Sequence, residues 1–182
     1  MHKSFDLFFV SSNIHKYQEA KKILDSFGIN LGFFKSNLEE IQSNSIEDIA
    51  LNKAKNAFSK CKKPLIVEDD GLFINSLKGF PGPYSSYVFK TIGNKGILDL
   101  LKQNRTAKFI SVITYCDEKT LKSFNAKLDG TVSKNQKEQS WGYDPIFIPK
   151  NSRKTFAELS NKNELSHRYK ALKKFANWYL HK

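Results

Sequence analysis

The chain has only two cysteines, Cys61 and Cys116. Neither has a partner at metal-ligand spacing, so a zinc knuckle and a disulfide framework are both disfavoured and buried free thiols are expected. No apolar run approaches the roughly 20 residues needed to span a bilayer. The opening Met1-His2-Lys3-Ser4-Phe5-Asp6 lacks the long apolar core and cleavage site of a signal peptide, so a soluble, cytoplasmic protein is expected. The four histidines, His2, His15, His167 and His181, show no H-x-x-x-H spacing, which disfavours zinc chemistry. No G-x-x-x-x-G-K-[ST] run occurs, which argues against a Walker-type hydrolase, and no G-x-S-x-G elbow supports a serine nucleophile. Acids are few: 18 stand against 30 lysines and arginines, a formal charge of +12. That excess points to an anionic partner, either a nucleotide or a nucleic acid, without choosing between them.

What is present reads as one α/β domain over residues 1–182, long enough for a sizeable core and built as two lobes. Phe5 to Val10 predicts a buried strand. Tyr17, Ala20, Leu24 and Phe27 then recur at helical spacing until Gly28. A second helix is predicted over Ile46, Ile49, Ala50, Ala54, Ala57 and Phe58, with Ser45 as its N-cap and Asp48 three residues on. Leu65-Ile66-Val67 predicts a short buried strand with Glu68, Asp69 and Asp70 at its carboxyl end, the usual place for ligands in open α/β sheets. The turn-rich Phe80-Pro81-Gly82-Pro83-Tyr84 is expected to link the lobes. Ile97, Leu98, Leu100 and Leu101 suit a helix packed on the core. Ala107 to Cys116 and Phe124 to Asp129-Gly130 predict an antiparallel hairpin turning at Asp117 to Thr120. Leu165, Tyr169, Leu172, Ala176 and Tyr179 give a closing helix. The fold class is therefore a mixed β-sheet flanked by helices, with a cleft.

Two clusters carry chemistry. Ser11-Ser12-Asn13-Ile14-His15-Lys16 lies between a strand and a helix, where backbone amides, a hydroxyl and an ammonium suit phosphate, or simply cap a helix. Glu68-Asp69-Asp70 brings three hard carboxylates to a strand, with Glu39 and Glu40 in the preceding loop. Side chains alternate along a strand, so at most two of the three share a site, and such oxygens suit magnesium. Trp141, Tyr143 and Phe147 offer aromatic faces, and Ser166-His167-Arg168 can present donors at a helix start.

Four segments in this order resemble the inosine triphosphate pyrophosphatases, a Ham1-like family. They are Ser11-Ser12-Asn13 with Lys16; Glu68-Asp69-Asp70-Gly71-Leu72 continuing through Gly79-Phe80-Pro81-Gly82-Pro83-Tyr84-Ser85; Trp141-Gly142-Tyr143-Asp144-Pro145-Ile146-Phe147; and Thr155-Phe156-Ala157-Glu158 followed by Ser166-His167-Arg168. The resemblance implies an elongated two-lobed fold, usually a homodimer, holding a purine nucleoside triphosphate in a central cleft. It also implies magnesium-dependent hydrolysis of deaminated purine nucleoside triphosphates (ITP, dITP, XTP) to a monophosphate and pyrophosphate, which cleanses the nucleotide pool. By motif position, Ser11, Asn13, Lys16 and Lys53 would hold phosphates. Glu40, Glu68 and Asp69 would bind Mg2+, with Asp69 as the base. Trp141, Tyr143, Asp144, Phe147, Lys162, Ser166, His167 and Arg168 would frame the base and sugar. A donor on His167 or Arg168 would donate to the 6-oxygen of hypoxanthine or xanthine and be left unpaired against adenine.

The chain departs from that pattern at Ser12, where a glycine is common; at Asp70, where a serine is frequent; and at Ser85-Ser86-Tyr87, where Ser-Ala-Arg is often seen. A Maf-like pyrophosphatase for other nucleotides is one alternative, but its pocket would lack the Ser166-His167-Arg168 edge. A basic nucleic-acid-binding module is the other; no RNA-recognition aromatic signature or C2H2 pattern supports it, and no stable nucleic-acid complex is expected.

Overall fold

Asn13 sits in an extended conformation and its side chain accepts from the amides of His15 and Lys16, which starts the first helix where the apolar strand before it ends. The computed structural model describes residues 4–182, so the expectations placed on Met1 to Lys3, His2 included, lie outside it. Strand β1 (Leu7–Ser11) leads into α1 (Ile14–Asp25), which buries Ala20, Ile23 and Leu24. Gly28, at φ +75, allows the reversal that ends it. Strand β2 (Leu31–Lys35) lies parallel to β1, with Leu7 opposite Leu31. The Ser45 hydroxyl accepts from the Asp48 amide at 3.2 Å and opens α2 (Ile46–Cys61), as its capping residues predict.

Strand β3 runs from Leu65 to Ile74, well beyond the short strand predicted. Leu72 and Ile74 are fully buried and extend it, so Glu68, Asp69 and Asp70 lie within the strand and not past its end. Helices α3 (Ser85–Thr91) and α4 (Gly93–Leu100) follow. The hairpin is β4 (Thr106–Cys116) and β5 (Leu121–Val132), closed by a bond from the Asp117 amide to the Thr120 carbonyl. β5 passes the predicted stop at Gly130 because β6 (Phe147–Pro149) pairs antiparallel with it there. A Cβ on Gly130 would meet the Ile148 carbonyl oxygen at 2.3 Å, so that approach requires glycine. Helix α5 (Lys162–Leu165) stops at Ser166, whose extended backbone separates it from α6 (His167–Tyr179). The predicted closing helix thus begins two residues later than Leu165, which is exposed. The six strands form one mixed sheet in the order β2-β1-β3-β4-β5-β6.

The chain divides into two compact units. The first comprises the chain up to Asp69, Ser111–Ala126 and Arg168–Lys182; the second comprises Asp70–Ile110 and Lys127–His167. In the first, Ala171, Leu172, Phe175 and Ala176 of α6 pack with Leu7, Phe9, Leu24, Ile66 and Ile113. A separate apolar group there holds Val10, Ala54, Leu65 and both buried cysteines. In the second, Leu72, Ile74, Val88 and Ile97 pack with Phe109, Tyr143, Phe147 and Phe156. The Phe80–Tyr84 loop lies wholly inside this second unit, so it does not link the lobes. The chain instead passes from unit to unit inside β3, β4 and β5 and before Arg168. No helix among the described residues is long and apolar enough to cross a membrane.

Candidate functional site

Alternation along β3 sends its three acids to different neighbours. In the first unit, Asp69 Oδ1 accepts from Lys53 Nζ at 2.6 Å, and the same ammonium lies 2.5 Å from Glu40 Oε1. Lys53 interrupts the buried stripe of α2 formed by Ile49, Ala50, Ala54 and Ala57, which aims a cation inward from an apolar helix face. A lysine on such a stripe is the signal by which the sequence marks it. Asp69 Oδ2 is buried and makes no hydrogen bond among the described residues. Burial pushes the Asp69 carboxyl up to about 6, against the opposing charges of Lys53 and Lys16 and with a smaller upward push from Glu40. A carboxylate tuned to that value, with one oxygen unsatisfied, suits a general base or a metal ligand.

Glu68 points to the other face and is closed off. Arg168 Nε reaches its two oxygens at 2.9 and 2.8 Å, and the Ser111 hydroxyl donates to Oε1 at 2.9 Å. Arg168 also pairs through Nη1 with Glu19 of α1, and its side chain is 1% exposed. The fold thus gives both Glu68 oxygens protein partners, and it brings the Arg168 guanidinium to two carboxylates, Glu68 and Glu19. Ser111 and Glu19 carry no motif of their own; only the fold brings them to residues 43 and 149 positions away.

Near the start of α1, Ser11 Oγ accepts from the Asn13 amide at 3.0 Å, and Asn13 Oδ1 takes the His15 and Lys16 amides at 3.0 and 3.3 Å. The Asn13 oxygen therefore serves as the helix cap, and its amide nitrogen is the group suited to an anion. Lys16 is half-buried, and its charge is felt by Asp69.

The second unit holds the remaining residues. Lys162 Nζ lies 2.5 Å from Asp144 Oδ2, both side chains being buried, and 5.1 Å from the centre of the Trp141 ring. The Tyr143 hydroxyl donates to the Ser85 carbonyl at 2.8 Å, and burial pushes that phenol well above its ordinary value, so it stays a donor. Ser85 Oγ in turn accepts from the Leu72 amide at 2.9 Å and donates to the Gly82 carbonyl at 2.7 Å. Asn94 Nδ2 holds the carbonyl of Gly142 at 3.0 Å, fixing a residue whose φ of +62 favours glycine. Phe147 is a core ring, edge-on to Phe109 at 4.7 Å, and so frames the region from beneath rather than offering an open face. Thr155 and Glu158 close a capping box about the single turn Phe156–Glu158, the S/T-x-x-E pattern visible in sequence.

Ser166 and His167 are buried at the α5–α6 junction. The His167 ring stacks on Phe109 at 4.4 Å with 6° between planes, and its Nε2 lies 3.7 Å from Asp70 Oδ2. Sequence motifs assign no site role to Ser85, Asn94 or Phe109, and Asp70 enters only as one of the three acids of β3.

The Ham1 family model matches residues 7–178. The dITP/XTP pyrophosphatase of Methanopyrus kandleri is 48% identical over 177 residues, 94% of each chain. That of Thermococcus kodakarensis is 44% identical, over 94% of this chain and 96% of its own. A solved HAM1 protein from Coxiella burnetii superposes with a TM-score of 0.81 at 25% identity, covering 97% of this chain and 100% of that one. With a match over nearly its whole length and relatives this similar, the chain belongs to the Ham1 family.

Proposed function

We propose that this chain hydrolyses deaminated purine nucleoside triphosphates, ITP, dITP and XTP, to the nucleoside monophosphate and pyrophosphate. The observation that carries this reading is Asp69: a buried carboxylate tuned to about 6, one oxygen held by Lys53 and the other without a hydrogen-bond partner among the described residues. Asp69 takes a proton from water as its oxygen adds to the α-phosphorus. The bond to the oxygen bridging the α- and β-phosphorus atoms breaks, and pyrophosphate leaves. Lys16 and Lys53 offset its charge, with Ser11 and Asn13 positioning the phosphates. No covalent intermediate on the protein is needed.

The donor set fits magnesium. Asp69 Oδ2 supplies a buried hard oxygen that lacks a partner, and Glu40 a second at the half-exposed rim. Among the described residues no group of three or more acids, histidines and cysteines is assembled. That suits an ion held by one or two carboxylates together with substrate phosphates and water. When bound, such an ion neutralises phosphate charge. In the second unit, His167, Ser166 and the Lys162–Asp144 pair beside Trp141 meet the base and sugar, Tyr143 and Phe147 supporting them from the core.

The positive charge serves mononucleotide phosphates, and no stable nucleic-acid complex forms. The protein works on the free nucleotide pool of the cytoplasm. We further propose a homodimer, supported by the exposed Phe80, Tyr84, Tyr87 and Ile92 of the second unit, whose apolar surface a second copy would cover. Pyrophosphate release from ITP, XTP, ATP and GTP, with and without magnesium, tests the main reading. Magnesium-dependent turnover of ITP and XTP supports it, and absence of turnover on both removes it.

A further inference from the structure

We infer that Glu158 is a positioning residue for nucleotide binding: the capping box it closes with Thr155 fixes the single turn that holds Asp144 in place beside Lys162, so that this buried ion pair keeps its geometry for the substrate. This role rests on the nucleotide pyrophosphatase reading above, in which the pair meets the base and sugar.

All of these residues lie in the second unit. Phe156–Glu158 make one turn of 3-10 helix, too short to be held by its own backbone bonds. Glu158 Oε2 accepts from the Thr155 amide at 2.8 Å and from the Thr155 hydroxyl at 2.9 Å, and that hydroxyl accepts in turn from the Glu158 amide. Thr155 is fully buried, which keeps water from competing at its end of the box.

The turn reaches both members of the ion pair. Its Ala157 amide donates to the Asp144 carbonyl at 3.2 Å. Its Phe156 ring is buried, lies 5.7 Å from Lys162 Nζ and packs against Phe147 with ring centres 5.2 Å apart. Asp144 belongs to no helix or strand, and Lys162 stands in a helix of four residues. Neither partner is therefore placed by a long element of its own, and the bonded turn between them in sequence sets where they meet.

The bond that breaks lies at the α-phosphorus, whereas the Asp144–Lys162 pair meets another part of the nucleotide. What its geometry supplies is binding common to the ground and transition states. Loss of the box should raise KM and leave kcat unchanged, although Glu158 itself does not touch the nucleotide.

Steady-state kinetics on ITP and XTP with magnesium test this in Glu158→Ala and Glu158→Gln, with hydrogen exchange at the Ala157 amide read in parallel. In Glu158→Ala that amide should lose protection, and KM should rise about tenfold for both substrates, the size of one buried hydrogen bond, at native kcat. Glu158→Gln keeps an acceptor oxygen in the same place and should restore both readouts. A native KM in Glu158→Ala overturns the proposal, whether or not the Ala157 amide loses protection, as does a loss confined to kcat. An equal rise of KM in Glu158→Gln also overturns it, because the charge and not the box would then be responsible. Should Glu158→Ala not fold, Thr155→Val, which removes the hydroxyl and keeps the shape, is read by the same split. If the native chain turns over neither ITP nor XTP, the function reading fails, and this role with it; native turnover with an unmoved KM in the variant removes this role alone.

Discussion

Lys53 Nζ donates to Asp69 Oδ1 at 2.6 Å while Asp69 Oδ2, buried on the same carboxylate, has no hydrogen-bond partner among the described residues. One oxygen is fixed by the protein and the other is not. The arrangement is unfavourable for the empty fold, because burying a carboxylate with an unsatisfied oxygen carries a desolvation cost that Lys53 only partly offsets.

That cost gives Asp69→Asn two opposite effects. Turnover of ITP should fall by at least a thousandfold. Stability without magnesium should rise, because the folded-state value of Asp69 is above its unfolded one, so its contribution to stability declines as pH rises from about 4 through about 6. At pH 8 the gain is on the order of 2–3 kcal/mol, read by urea denaturation. A variant that is both active and no more stable would remove Asp69 from this role.

The same value sets the acid limb of the rate. Asp69 must be ionised to accept a proton, so kcat/KM for ITP should rise with pH up to about 6 and then level off. A rate profile flat between pH 5 and pH 8, measured with saturating magnesium and again at low magnesium, would exclude it as the base.

Magnesium alone should raise the melting temperature of the native protein and leave Asp69→Asn nearly unmoved, since binding to the folded state stabilises by mass action. Scanning calorimetry with magnesium and with chelator makes the comparison. An equal rise in both proteins would place the ion elsewhere.

Arg168→Ala should act on the fold rather than on the choice of base. It leaves Glu68 buried with its main partner gone, a loss on the order of 3–5 kcal/mol, while the ITP-to-ATP ratio of any folded fraction stays as in the native chain. A changed ratio at unchanged stability would return Arg168 to the base edge.

Asn94→Ala frees the Gly142 carbonyl and loosens the segment that carries Trp141 and Tyr143. KM should rise severalfold for ITP and XTP alike, with kcat much less affected. A selective change for one base would instead mean that Asn94 itself touches the purine.

Much of this was legible before any coordinates. The cap at Ser45, the stripe of α2 and the hairpin are local, and local patterns read directly. Even the separation of Glu68 from Asp69 follows from strand alternation. The length of β3 did not, because residues of a second core, Leu72 and Ile74, draw it past its acids. The break at Ser166 was legible in part, since Ser166-His167-Arg168 reads as a helix start while the apolar spacing runs through it from Leu165.

The sequence by itself determined the family and the α/β class, because these rest on ordered motifs and short-range periodicity. Only the tertiary structure decided what each charge does. It closed Glu68 with Arg168, Ser111 and Glu19, placed Lys53 between Glu40 and Asp69, and set Asp70 beside His167. The pairing of a buried charge depends on which distant segment arrives within a few ångströms of it, and nothing in the local sequence carries that distance.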